Sequence, residues 1–204
     1  MTIAVLALQG AFAEHEKVLD RLGVSHIELR QANDLEQPFD ALILPGGEST
    51  VQSKLLKELE MFEPLKKRIE NGMTVLATCA GLILLASEIE GQDSCHFGTI
   101  PMCVRRNAYG RQLGSFHTEE TVGSLGKVPM TFIRAPYVSD VYKDTKILAS
   151  VEDRIVGVQY KNQLAFAFHP ELDEDTRIHE KFLEIVRNSC NHNHRLSRWF
   201  ALPL

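Results

Sequence analysis

Of the four cysteines in this 204-residue chain, Cys79, Cys95, Cys103 and Cys190, one sits where sulfur would be reactive. Around it the chain passes from Val75-Leu-Ala-Thr78 through Cys79 into Ala80-Gly81 and an apolar run, so a strand gives way to a helix with only small residues at the turn. Such an elbow lifts a side chain clear at the carboxyl edge of a sheet, and the helix N-terminus behind it favours a thiolate and offers free N–H groups. A buried core cysteine is the alternative. A second signal is Leu164-Ala-Phe-Ala-Phe-His169-Pro-Glu171, an apolar strand ending in histidine with a carboxylate two residues on. Extended chain puts those two side chains on one side, so Glu171 can hold one ring nitrogen while the other faces sulfur, as an activated nucleophile requires. Pro170 followed by acid also suits the first turn of a helix, and the two readings are compatible. A third is Leu44-Pro-Gly46-Gly47-Glu48-Ser49-Thr50. Paired glycines let backbone N–H groups approach a ligand, and Gly47 N–H with Ala80 N–H would form an oxyanion hole; a plain tight turn capped by Ser49 or Thr50 is the alternative.

These groups need a scaffold that brings them to one edge. Thr2 to Leu8 is a short continuous apolar run, as in a strand buried on both faces, and Phe12, His15, Val18, Leu19 and Leu22 then recur at helical spacing up to Gly23. Val24 to Leu29 and Phe39 to Leu44 read as strands, Leu55, Leu56, Leu59 and Phe62 as a helix, Pro64 as a further helical turn, Met73 to Thr78 as a strand and Ala80 to Ile89 as a helix. This alternation implies an α/β fold, a flavodoxin-like three-layer sandwich with a mostly parallel sheet covered on both faces, whose ligands bind at the carboxyl ends of the strands. From Ile100 to Phe168 the pieces turn strand-like, at Met130 to Ile133, Ile147 to Val151, Ile155 to Tyr160 and Leu164 to Phe168, and are expected to extend the same sheet. A last helix is expected from Asp173 to Val186, with Ile178, Phe182, Leu183 and Ile185 or Val186 inward. Residues 1–190 are read as one domain and 191–204 as a C-terminal tail of unknown role.

Composition excludes several classes. With 44% hydrophobic residues the chain can bury a core unaided, and 22 basic against 27 acidic residues leave no basic surface for nucleic acid. No apolar stretch approaches the roughly 18 residues of a membrane span, and irregular cysteine spacing without C-x-x-C suits reduced thiols, so a cytoplasmic, soluble protein with no nucleic-acid or membrane partner is expected. Cys190, His192 and His194 alternate in a polar terminus without a fourth ligand, which makes a metal site there unexpected, and no cofactor is implied.

Thr-Cys79-Ala-Gly, Phe-His169-Pro-Glu171 and Pro-Gly-Gly47-Glu-Ser together resemble the class I glutamine amidotransferase family, whose Cys-His-Glu triad hydrolyses the side-chain amide of glutamine. Leu8-Gln-Gly10 with Glu14-His15, Leu42 to Thr50, Arg106-Asn107 with Gly110-Arg-Gln112, and Phe132-Ile-Arg-Ala-Pro136 narrow the resemblance to the glutaminase subunits of pyridoxal 5′-phosphate synthases, over residues 2–188. The resemblance implies Cys79, His169 and Glu171 as catalytic residues, Gly47, Glu48, Ser49, Arg106, Ile133 and Arg134 as glutamine-binding residues, and a synthase (lyase) subunit as partner receiving ammonia for vitamin B6 biosynthesis. An arginine is chemically suited to the substrate carboxylate, although composition does not separate Arg106 from Arg105 beside it. The chain departs from the family in carrying Ala77, where glycine is common two positions before the cysteine. A cysteine peptidase or chaperone-like hydrolase would share the elbow but lack the His-Pro-Glu and Arg106 motifs. A catalytically dead binding module would lack a triad member or carry a phosphate loop, and neither is the case here.

Overall fold

The structure, a computed structural model, describes residues 1–106 and 115–199, residues 191–199 as backbone only. The apolar runs form the parallel half of a ten-stranded sheet: β1 (Thr2–Leu6), β2 (Ser25–Leu29), β3 (Ala41–Leu44), β4 (Thr74–Thr78) and β12 (Gln163–Phe166), in the order β2-β1-β3-β4-β12. β1, β3, β4 and β12 are almost wholly buried, which explains why they read as continuous apolar runs rather than alternating ones. Helices α1 (Phe12–Arg21) and α5 (Arg177–Trp199) meet on one face, where His15 and His179 touch, and α2 (Ser49–Glu58), α3 (Phe62–Glu70) and α4 (Ala80–Leu85) pack on the other. This is the three-layer arrangement the alternation implies.

Three expectations are corrected. The apolar run after Cys79 does not stay helical to Ile89: α4 ends at Leu85, and Ala86–Ile89 is strand β5, paired in parallel with β6 (Ile100–Arg105). An unbroken apolar run carries no period to separate helix from strand, and the neighbouring β6 decides it, with Ser87 Oγ bonded to the backbone of Met102. As expected, the pieces at Ile147 to Val151, Ile155 to Tyr160 and Leu164 to Phe168 extend the same sheet, with antiparallel pairing around β11 (Arg154–Tyr160). β11 pairs antiparallel with β12, β10 (Lys146–Val151) and β9 (Tyr137–Val141), and β9 pairs antiparallel with β6. The expected strand at Met130 to Ile133 belongs to β8 (Lys127–Ile133), which leaves the main sheet and forms a separate ribbon with β7 (Ser115–Thr121). Finally, α5 starts at Arg177 rather than Asp173 and continues to Trp199, into the segment read as a tail; side-chain readings for His192 and His194 lie outside the described residues.

Aromatic packing fastens the ribbon to the sheet. Phe116 and Phe132 stack at 4.5 Å, Phe132 meets Phe168 at 5.7 Å, and Phe168 meets Phe166 of β12 at 5.2 Å. Phe132, Phe166 and Phe168 are buried, each contributing roughly 1.5–3 kcal/mol. The chain between Phe166 and His169 is thereby clamped between sheet and ribbon, and Thr131 C=O accepts from His169 N–H at 2.8 Å. Among the described residues no helix is long and apolar enough to cross a membrane.

Candidate active site

Strands β1, β3, β4 and β12 are neighbours, and the segments after their carboxyl ends carry Gln9, Gly46-Gly47, Cys79 and His169. Register makes this meeting close: Leu44 lies beside Ala77 and Phe166 beside Thr78, so three of the turns leave the sheet at one level. Cys79 occupies the elbow with φ 48° and ψ −100°, a left-handed conformation costly for a side-chain-bearing residue. Its N–H is held by Phe166 C=O at 2.8 Å, and buried Ala80 begins α4 immediately behind it. Ala77, the departure from the family pattern, is fully buried in β4 between Leu44 and Ala165 and fits the strand without a break in register.

His169 and Glu171 do not sit on an extended strand end. β12 stops at Phe166, and Pro170–Leu172 is a 3₁₀ turn with proline at its start. Proline's fixed φ and missing N–H suit that position, and the turn folds the Glu171 carboxylate back against the ring, Oε1 to Nδ1 2.7 Å. The other ring nitrogen is free to serve Cys79. Burial works against a charge on His169, but hydrogen bonds and the charges of Cys79 and Glu171 outweigh it, and the imidazolium is held up to about 10. Glu171 is itself buried, which opposes ionisation; the facing His15 and the bond from His169 prevail and lower its pKa below the ordinary value.

The glycine turn closes against this pair. A Cβ on Gly46 would lie 2.2 Å from His169 Cε1 and 3.3 Å from Cys79 Cβ, so only glycine leaves room for the ring. Gly46 C=O accepts from Ala11 N–H at 2.9 Å, which turns the Gly47 N–H away from the loop that carries Ala11. Gln9 braces the turn: its Oε1 accepts from Glu48 N–H at 2.8 Å, while Gln52 Nε2 donates to Gln9 O and Pro45 O.

A cavity of about 310 Å³ opens beside the sulfur, lined among others by Gly47, Glu48, Ser49, Cys79, Arg106, Ile133, Arg134 and His169. Every residue expected to hold substrate therefore reaches one cavity. Arg106 lies at its rim, donating to Glu48 Oε1 at 2.7 Å and Thr50 Oγ1 at 3.3 Å. Arg105 instead forms a two-pronged pair with Glu90 and meets the Tyr137 hydroxyl, which settles which arginine faces the cavity. Ser49 Oγ is buried without a hydrogen-bond partner among the described residues, a polar atom available to a polar ligand. The Asn107 and Gly110-Arg-Gln112 positions lie outside the described residues. Sequence reasoning left out Gln9, Ile83 and Pro136 as cavity residues, although Gln9 and Pro136 stood within the quoted motifs. It also left out Thr78 and His15, whose signal was polarity: His15 is a histidine on an otherwise apolar helical stripe.

A thiol beside a carboxylate-held imidazole at the wall of a cavity, on a doubly wound sheet, is the arrangement found in cysteine-dependent hydrolases of amide or ester bonds. The chain belongs to the SNO glutamine amidotransferase family, whose profile matches residues 5–188. It is 61% identical over 186 residues to "Pyridoxal 5'-phosphate synthase subunit PdxT" of Desulfitobacterium hafniense (strain DSM 10664 / DCB-2), covering 91% of this chain and 94% of that protein. The protein of the same name from Streptococcus pneumoniae (strain CGSP14) is 54% identical over 190 residues, covering 92% and 98%. Among solved structures, "Crystal structure of glutamine amidotransferase" superposes with a TM-score of 0.85 at 43% identity, covering 90% of this chain and 98% of that one.

Proposed function

We propose that the chain hydrolyses L-glutamine to L-glutamate and ammonia through Cys79, His169 and Glu171, in the cytoplasm, and delivers the ammonia to a pyridoxal 5′-phosphate synthase subunit. The observation that carries the reading is the His169 ring, fixed by Glu171 at 2.7 Å and by glycine-only clearance at Gly46, beside the Cys79 sulfur and a cavity of about 310 Å³. The Cys79 thiolate attacks the side-chain amide carbon, and the oxyanion is received by Gly47 N–H and Ala80 N–H. His169, protonated at neutral pH, gives its proton to the departing nitrogen, and ammonia leaves a glutamyl thioester. Neutral His169 then takes a proton from water, which attacks the thioester and releases glutamate and thiolate. Glu171 keeps the ring oriented and stabilises its charge. The substrate carboxylate meets Arg106 in place of Glu48, and Gly47, Glu48, Ser49, Ile133 and Arg134 shape the rest of the cavity.

The partner reading is supported by the names of the relatives and by the loop geometry. Ala11 N–H, one residue beyond Gly10, holds the Gly46 carbonyl. A subunit docking on Gln9 to Ala11 and Pro45 to Ser49 would therefore control which way the Gly46-Gly47 peptide points, and with it one oxyanion donor. Ammonia release from free glutamine, measured with and without a stoichiometric synthase subunit, tests the whole reading. Activity should rise severalfold or more with the partner and vanish in Cys79→Ala. Undiminished turnover by Cys79→Ala would overturn the catalytic assignment, and equal activity with and without partner would overturn the coupling.

A further inference from the structure

Behind the Glu171 carboxylate lies a buried chain of polar groups that the proposed mechanism does not use. His15 of α1 is fully buried, with Nε2 3.2 Å from Thr78 Oγ1 and 3.5 Å from Glu171 Oε2. Its Nδ1 is 2.9 Å from Nε2 of His179, a fully buried residue of α5. Thr78 Oγ1 in turn accepts from Gly46 N–H at 3.0 Å and lies 3.5 Å from Glu171 Oε1. The chain thus joins two helices, the elbow strand and the glycine turn at the carboxylate.

The direction of its protons follows from what each end can tolerate. His179 Nδ1 and Glu171 Oε2 have no hydrogen-bond partner of ordinary geometry among the described residues. If His15 carried its proton on Nδ1, it would donate to His179, and His179 would bury an N–H with nothing to receive it. The bare Nε2 of His15 would meanwhile face a carboxylate. In the opposite arrangement His179 Nε2–H donates to His15 Nδ1, and His15 Nε2–H points at Thr78 Oγ1 and Glu171 Oε2. Only a lone pair on His179 then goes unmatched, and a buried unpaired acceptor is less costly than a buried unpaired donor. The Thr78 hydroxyl accepts from Gly46 and His15 and donates its proton toward Glu171.

We infer that His15, with its tautomer fixed by His179, is a positioning residue that presents an N–H to the rear of Glu171 and, through Thr78, ties the Gly46 turn to the triad. Both histidines stay neutral: burial lowers the His15 pKa although Glu171 and Glu14 raise it and His169 adds to the lowering. Burial, His15 and Arg21 lower that of His179 further. An N–H facing Oε2 at 3.5 Å favours the ionised carboxylate electrostatically and leaves Oε1 to His169, which keeps the imidazolium in place without touching substrate. This inference rests on the proposed triad.

The test has a spectroscopic and a kinetic arm. In uniformly ¹⁵N-histidine-labelled wild-type protein, His15 and His179 should both show the neutral Nε2–H form at neutral pH; a proton on His15 Nδ1, or a charged His15, overturns the inference. In the kinetic arm, His15→Leu removes the N–H and should lower kcat about ten- to hundredfold with KM for glutamine little changed, the size expected when a buried charged group loses its polar partner. His15→Gln places an amide N–H near the same spot and should recover to within about threefold of wild type. A kcat for His15→Leu equal to wild type, or equal losses in folded His15→Leu and His15→Gln, overturns the inference. If His15→Leu does not fold, the tautomer measurement and His15→Gln against wild type decide. Glu171→Gln, run alongside, separates the two levels: if it keeps full activity the triad itself is wrong, and if it loses activity while His15→Leu does not, only the role of His15 fails.

Discussion

Replacing Gly46 by alanine adds one methyl group at the most crowded point of the site. The new Cβ would stand 2.2 Å from His169 Cε1 and 2.8 Å from Nδ1, whereas non-bonded carbons rest about 3.5–4.0 Å apart, an overlap of at least about 1.3 Å. The backbone at Gly46 does not absorb it easily, because its N–H is bound to Thr78 Oγ1 and its C=O to Ala11 N–H. Nor does His169, held by Thr131 through the backbone and by Glu171 through the ring. One of them must shift by about an ångström, and a displacement of that size in a catalytic group costs on the order of 10²-fold in rate. Overpacking of this kind costs about 1–3 kcal/mol of stability, and for a chain of this length the melting temperature should fall by about 2–12 °C. Glutamate release from glutamine, with a thermal melt followed by circular dichroism, reads both effects. A folded Gly46→Ala protein with kcat/KM within threefold of wild type would refute the reasoning, since it would mean that His169 does not occupy the position on which the triad depends.

Four further outcomes follow from the same geometry. Glu171→Gln keeps the shape of a buried side chain but removes the charge that orients His169, so kcat should fall roughly 10²- to 10⁴-fold with KM nearly unchanged in steady-state kinetics; a raised KM at constant kcat would instead mark a binding role. His169 carries its proton up to about pH 10, so kcat/KM in wild type should decline only as pH rises through that region, and the decline should move to lower pH in Glu171→Gln. The same raised pKa means that the stability His169 contributes is complete below its unfolded value near 6.5 and is lost as pH rises through about 10, which urea unfolding at pH 7 and pH 10.5 would register as a drop smaller in Glu171→Gln than in wild type. Arg106→Ala frees Glu48 and removes the rim cation, and should raise KM for glutamine about tenfold or more while leaving kcat within a fewfold; an unchanged KM would show that another group receives the substrate carboxylate.

The sequence by itself determined the parallel half of the sheet and the three turns that hold the chemistry. Those features are local: a strand buried on both faces must be apolar throughout, a helix shows its 3.6-residue period, and a cysteine, histidine or glycine pair placed directly after such a strand must lie at its carboxyl edge. What tertiary structure decided lay where local pattern is silent. Ala80 to Ile89 had no period, and the neighbouring β6 made its last four residues a strand. Met130 to Ile133 looked like any sheet strand, but pairing with β7 and the stack of Phe132 on Phe116 set it in a ribbon that supplies one wall of the cavity. Arg105 and Arg106 are identical in composition, and only the position of Glu90 across the edge of the sheet removed one from the site. His15 and His179 are separated by most of the chain, and each alone reads as a residue of a core face. Their meeting behind Glu171 depends on two helices packing on the same side of one sheet, a long-range contact for which the residues flanking each histidine carry no signal.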